Sequence, residues 1–384
     1  MATDHDDLTS AQLESRLAAV ADLRQAFTTP GADLDAITEE LVRFIRHTVE
    51  HPRLSHVAPA KLTKRAPVAL APDVQAALTI LADCPERVRA RRLDLSGLDL
   101  RAANVSRGQW AHSRWEHSDL HDADLSGADL RDADLKWAFL ERANLDSAHL
   151  GHANLTNAQL RAASLKLVGA EHSCFWGADL RHVSGEGARL AFADLHRAKL
   201  DHADLHGAQL PYASFNASSL RHAVLSESLL YFADLRESCL DSADLSGAQL
   251  DNADLCRAEL RNARLSEASL RGCRLVSAQA RYVDLHGSNL AYAGLGAADL
   301  RNADLRGADL SDAYMFKTNL RQADLAATRL DHADLHSADL TGAWGLEAAQ
   351  LVTAWIHPST RLDPELAQHP AVRARILATE RRFD

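Results

Sequence analysis

Three histidines, His182, His202 and His222, fall twenty residues apart, and Asp204, Asp244, Asp284, Asp304 and Asp324 are separated by multiples of twenty. Imidazoles can ligate a metal, and carboxylates can move protons or attract a cationic partner. Neither chemistry assembles at that spacing unless the chain returns to the same place every twenty residues. Even then, no carboxylate or thiol completes a set of four ligands with the histidines, so stacked imidazoles are the preferred reading and no metal is expected. Ser, His and Asp are so frequent that accidental triads arise by repetition alone. The sequence carries no nucleophile elbow, P-loop or HExxH. Its five cysteines, Cys84, Cys174, Cys239, Cys256 and Cys273, show no CxxC spacing and read as reduced thiols. The expectation is a protein that is not an enzyme and needs no cofactor.

The elements that must position these side chains follow a period that suits neither a helix nor a strand. The stretch ADLSGADLRDADL (123–135) places Leu at every fifth position. Of the 50 positions divisible by five from Leu95 to Leu340, Leu fills 41; Ala stands two before the site in 34 and Asp one before it in 19. No insertion breaks the register. A five-residue unit that turns a corner buries its Leu and its small residue and leaves three positions to water. Four corners close a coil of twenty residues, and coils stack at the strand spacing of about 4.8 Å, each pairing its backbone with the next. One coil cannot bury its own interior; stacking makes the core continuous, with each inward Leu contributing about 1.5–3 kcal/mol. Trp110 and Trp115, oversized for interior sites, are expected to plug the first coils against the preceding segment. Ala170 and Gly185, undersized, mark either a kink or gaps filled by Phe175 and Val183. The convex surface of such a coil is expected to offer no deep pocket.

Units of the form A(D/N)LXX, such as ADLSG (123–127), ANLTN (153–157), ADLHG (203–207) and ADLRG (303–307), resemble the pentapeptide-repeat family over residues 93–343. The resemblance implies a right-handed quadrilateral β-helix of about 12 coils. Residues 1–92 read as a helical N-terminal domain, with helical spacing at 9–27, 32–51 and 72–84, breakers at Pro30 and Gly31, and Pro72 opening the third helix. A loop is expected over 52–71. This segment resembles the helical leader of a bacterial subgroup of the family, in which membrane helices often precede it; none is visible here. Residues 344–384 read as a C-terminal helical cap, with helices at 345–356 and 371–383, because an open solenoid end leaves backbone and core uncovered. In the gyrase-interacting branch of the family such a helix also mediates a homodimer; the cap is the preferred reading.

With 53 acidic against 42 basic residues the net charge is −11, which disfavours direct nucleic-acid binding. The carboxylate excess falls on two of four walls, and the wall carrying Asp204, Asp244, Asp284, Asp304 and Asp324 is the most acidic. By resemblance, such a wall mimics duplex DNA and occupies the basic saddle of DNA gyrase or another type II topoisomerase, protecting it from poisons. The competing reading makes Asp before Leu a requirement of the fold, satisfying backbone N–H groups at corners. On another wall Arg101, Arg161, Arg181, Arg221, Arg261, Arg281, Arg301 and Arg321 form a ladder that alternates with carboxylates and neutralises them. Phe192, Tyr212 and Phe232 share one outward position, a second candidate surface for a protein partner, so that a scaffold acting through this patch or the N-terminal domain is the alternative function. No signal peptide is evident, and no window approaches the roughly 18 apolar residues of a membrane helix. A soluble, cytoplasmic protein is expected.

Overall fold

The structure, a computed structural model, describes residues 10–49, 70–83 and 93–383. It divides into two compact units, Met1–Cys174 and Phe175–Asp384. In both, the five-residue period is a corner. The N–H of the alanine three residues after each interior site bonds back to the interior carbonyl, as Ala103 does to Leu100 at 3.1 Å and Ala208 to Leu205 at 3.0 Å. The second turn residue takes a left-handed φ, which is what a type II turn demands. Non-glycine residues fill most of these positions, with φ near +58° at Asp132, Tyr212 and Asn302.

Coils pair in parallel at a spacing of twenty: Asp94 with Arg114 and Asn104 with Asp124 in the first unit, Asp204 with Val224 and Asp304 with Asp324 in the second. The ladder donors are the interior residue and the second turn residue, which reach the next coil, and the residue before the interior one, which reaches back as Asp204 N–H does to Val183 O at 2.9 Å. Leu205 N–H reaches Val224 O at 2.7 Å, and Gly207 N–H reaches Ser226 O at 2.9 Å. Interior leucines and their partner alanines are buried throughout. Gly185 does not interrupt the ladder, since its N–H bonds Asp204 O. A Cβ built there would lie 2.9 Å from Leu205 Cδ2, so Leu205, rather than Val183, fills the space beside it.

Among the described residues, three helices precede the first coils: α1 (Ser10–Thr28), α2 (Leu34–Val49) and α3 (Pro72–Ala82). They match the expected spans to within a few residues; most of the expected loop, residues 52–69, lies outside the described residues, as does Cys84. An ion pair between Arg16 Nε and the fully buried Asp73 Oδ2 (2.6 Å) ties α1 to α3, and Arg16 also donates to Thr48 Oγ1 on α2. Side chains from these helices satisfy the open ladder edge. Gln75 Nε2 donates to Asn104 O at 2.6 Å while its Oε1 accepts from Asn104 N–H at 2.8 Å, so one amide does what a further coil would do. Arg46 donates to the carbonyls of Asp94 and Ser96. Trp110 and Trp115 are fully buried just inside this edge.

The other end closes differently from the expected single helix over 345–356. Only α4 (Ala348–Thr353) forms, because the chain then returns to the ladder. Trp355 N–H bonds Ala333 O at 2.8 Å and Arg361 N–H bonds Ala338 O at 2.9 Å, supplying donors that the last regular coils would otherwise lack. Gln350 Nε2 donates to Leu325 O and Thr328 O, both at 2.9 Å, and Thr360 Oγ1 to Leu335 O. A short α5 (Pro364–Gln368), not anticipated, precedes α6 (Pro370–Phe383). Among the described residues no helix is long and apolar enough to cross a membrane.

Candidate functional site

The five aspartates of the acidic wall lie in one column of the second unit, and each is part of a turn. Oδ1 accepts the backbone N–H two residues on: His206 onto Asp204 at 3.1 Å, Ser246 onto Asp244 at 3.0 Å, His286 onto Asp284 at 3.1 Å, Arg306 onto Asp304 at 3.1 Å and Ala326 onto Asp324 at 3.1 Å. The short acidic side chain suits that bond, which explains its place before the interior residue on every wall. The column is interrupted by Val224 and Arg264. Arg306 grips Asp304 through Nε and Nη2 at 2.8 and 2.6 Å, holding that carboxyl below its usual range, and its Nε lies 3.7 Å from Asp324 Oδ2. Among the described residues, Asp204, Asp244 and Asp284 have no ion-pair partner, and each side chain is half-buried.

Five of the eight arginines of the ladder pair with a carboxylate among the described residues. Arg281 and Arg301 both engage Asp299, Arg181 engages Asp179, and Arg261 lies 3.6 Å from Asp241. Burial pushes the Asp179 carboxyl up, but the Arg181 hydrogen bonds outweigh it and the carboxyl stays low. In the first unit Arg101 donates to Asp99 at 2.7 Å and approaches Asp119 at 3.8 Å.

Phe192, Tyr212 and Phe232 form a continuous stack, with centroids 4.9 and 5.0 Å apart and ring planes within 6° of parallel. Each is nevertheless 50% exposed. Their φ angles are +59°, +58° and +57°, a region that bulky residues occupy only at a cost of about 1–2 kcal/mol. Asn, Asp or Gly would sit there more comfortably, as Asp132, Asn252, Gly272 and Asp312 do in the same column. Three bulky rings in consecutive strained corners therefore work against the backbone, not for it. His182, His202 and His222 stack similarly at 5.0 and 4.9 Å.

Two features escaped the sequence reading. Cys239 Sγ, Asp241 and Glu259 bring ligand atoms within 4.8 Å of one another, Cys239 Sγ lying 3.3 Å from Glu259 Oε2. The arithmetic of twenty plus two residues would have found it. Burial pushes the Cys239 thiol up to about 11, so near neutrality it is a thiol rather than the thiolate a metal prefers. Second, the surface is not convex everywhere. A cavity of about 560 Å³ opens in the second unit between the last coils and α6, lined by Tyr314, Phe316, Trp355 and three histidines among others. The expectation of no pocket fails because a folded-back helix supplies a second wall, which the coil alone cannot.

A model of the pentapeptide repeats matches eight copies in the chain, spanning 94–136, 138–168, 173–207, 208–247, 238–276, 268–307, 278–315 and 308–343. No curated protein matches the chain significantly. Among solved structures, full-length QnrB1, a plasmid-mediated fluoroquinolone resistance protein, shares 17% identity over 52% of this chain and 99% of its own, with a TM-score of 0.41. HetL, a pentapeptide repeat protein involved in heterocyst differentiation regulation in the cyanobacterium Nostoc, shares 25% identity over 71% of this chain and 92% of its own, with a TM-score of 0.20. A pentapeptide repeat protein of the Arabidopsis thaliana thylakoid lumen shares 28% over 24% of this chain and 66% of its own, at 0.24.

Proposed function

The chain belongs to the pentapeptide-repeat family, and from that membership we propose that it is a non-enzymatic interaction scaffold whose aromatic row, Phe192, Tyr212 and Phe232, receives a protein partner. The observation that carries this reading is the pairing of exposure with strain: half-open rings held in corners whose φ favours small residues. Aromatic side chains concentrate binding energy because they bury much area for little lost rotamer freedom. The acidic column is less persuasive, since its carboxylates are turn-formers and two of the five already face Arg306.

Replacing Phe192, Tyr212 and Phe232 together with Asn, which accepts a left-handed φ, is expected to leave the melting temperature level or higher. Capture of the cellular partner, followed by titration with that purified partner, should show binding weakened by about a hundredfold or more. A captured partner that binds the triple variant as tightly as the parent protein would refute the reading.

A second reading rests on Asp204, Asp244 and Asp284, whose Oδ2 atoms are unpaired among the described residues. They support a cation-seeking wall, and by family resemblance a topoisomerase as its target. Asn at these three positions keeps the Oδ1 acceptor of each turn and deletes only the charge. Inhibition of gyrase supercoiling should then fall by about tenfold or more at unchanged thermal stability. No inhibition by the unaltered protein at any concentration would end this reading while leaving the aromatic one intact.

A further inference from the structure

The cavity between the last coils and α6 is built from three columns of the coil wall. Tyr292, Asp312 and His332 form one; Tyr314, Asp334 and Trp355 the next; Phe316, His336 and His357 the third, with Thr379 of α6 closing the far side. Its volume, about 560 Å³, is that of a small-molecule site. Four aromatic faces and two carboxylates line it, and no Lys or Arg does. An anion would meet Asp312, Asp334 and the negative faces of the rings. A metal ion is no better served, since among the described residues the three imidazoles form no ligating group.

The rings of this region already attract cations. Arg271 lies 5.0 Å from the Tyr292 centroid, Lys317 4.9 Å from Phe316 and Arg375 4.5 Å from Trp355. Arg375 also donates to Ala354 O, so its contact with Trp355 helps hold α6 over the cavity. Tyr314 has no such cation among the described residues and is 65% exposed, the most open ring of the set. Asp312 has no ion-pair partner among the described residues, whereas Asp334 Oδ1 accepts from His336 N–H. An open ring face with an unpaired carboxylate on an adjacent column is the arrangement that holds a positive charge whose own hydrogen-bonding needs are small.

We propose that this cavity is a binding site for a small organic ammonium compound with an alkylated nitrogen, the methylated head held by Tyr314 and its neighbouring rings and balanced by Asp312. Alkylation matters chemically. A bare ammonium asks for three hydrogen-bond acceptors, whereas a methylated one spreads its charge over C–H groups that lie well on ring faces. The proposal is independent of the partner assigned to the aromatic row, which lies on other coils.

The test titrates the full-length protein with choline and, in parallel, with 3,3-dimethylbutan-1-ol, the same shape without the charge, read by saturation-transfer NMR. Choline is expected to bind saturably and about tenfold more tightly than the alcohol. Tyr314→Ala and Asp312→Asn should each reduce choline affinity by about threefold to tenfold. Both positions tolerate the change, Tyr314 being exposed and Asp312 having a left-handed φ that Asn accepts. Thr379→Trp, which fills the cavity from the α6 side without touching the cage, should abolish binding. Equal affinity for the two probes, no saturable binding up to about 50 mM choline, or choline binding unchanged in all three variants would overturn the proposal.

Discussion

Replacing Trp110 with alanine is expected to destabilise the unit containing residues 1–174 by about 3–5 kcal/mol, the cost of emptying a fully buried tryptophan site. The ring has no room to be replaced by rearrangement. It meets Trp115 edge-on at 5.3 Å, and its Nε1 donates to Val105 O at 3.0 Å. Trp115 Nε1 in turn donates to Ser113 Oγ at 2.6 Å, and that hydroxyl to Trp110 O, so both indole donors are satisfied in a dry core. Gly108 completes the fit. A Cβ there would run into the Trp110 indole at Nε1 and Cε2 and would also meet Ala82 Cβ at 3.0 Å, although the backbone at Gly108 is not left-handed. Gly108→Ala should therefore destabilise the parent protein and cost much less once Trp110 is already alanine, when only the tight contact with Ala82 remains. Equilibrium denaturation of the four proteins closes the double-mutant cycle. Additive losses would show that the indole does not depend on Gly108.

A pH dependence of comparable size should arise one coil further along. His121 is buried between Asp119 and Glu141, with Nδ1 2.5 Å from Asp119 Oδ1 and Nε2 2.8 Å from Glu141 Oε2, the second an ion pair without hydrogen-bond alignment. Burial alone would push the imidazole pKa down. The two carboxylates outweigh it and raise the pKa to about 9. Because the folded value lies above the unfolded one, the stabilisation is complete below about pH 6.5 and is lost as pH rises through about 9. At about 1.4 kcal/mol per pH unit, roughly 3 kcal/mol should disappear across that window. Urea denaturation at intervals from about pH 6 to 10 should show that decline, and His121→Gln should flatten it. A profile as steep in the variant as in the parent would assign the effect to other groups.

The coil was legible in the sequence because its signal is one-dimensional. Each five-residue unit must bury one large and one small residue, so the chain repeats that requirement wherever it turns. The columns followed by arithmetic, which is how the stacks at Phe192, Tyr212, Phe232 and at His182, His202, His222 were found. Less visible was what each column's side chains do locally. Asp204 and Asp304 look identical in sequence, yet Asp304 is clamped by Arg306 while Asp204 has a histidine at the same offset. The 345–356 segment failed for a different reason. Its helical spacing is real, but the carbonyls of Ala333 and Ala338 need donors, and Trp355 and Arg361 supply them only from an extended backbone. The cavity needed α6 folded against the coils, a tertiary event that no periodicity encodes. Even so, Tyr314, Phe316 and Trp355 were unusual enough at outward positions to have prompted the question.

Gln75 and Gln350 each lend a side-chain amide to a ladder edge that has no further coil to meet. Among the regular coils the backbone ladder repeats at intervals of twenty. A gene could lengthen such a protein by copying sixty bases at a time within the regular coils, inheriting a ready-made interior and adding fresh outward positions with each copy. Growth of that kind behaves like a ruler extended from its middle: the graduations are free to multiply, while the terminators must be kept.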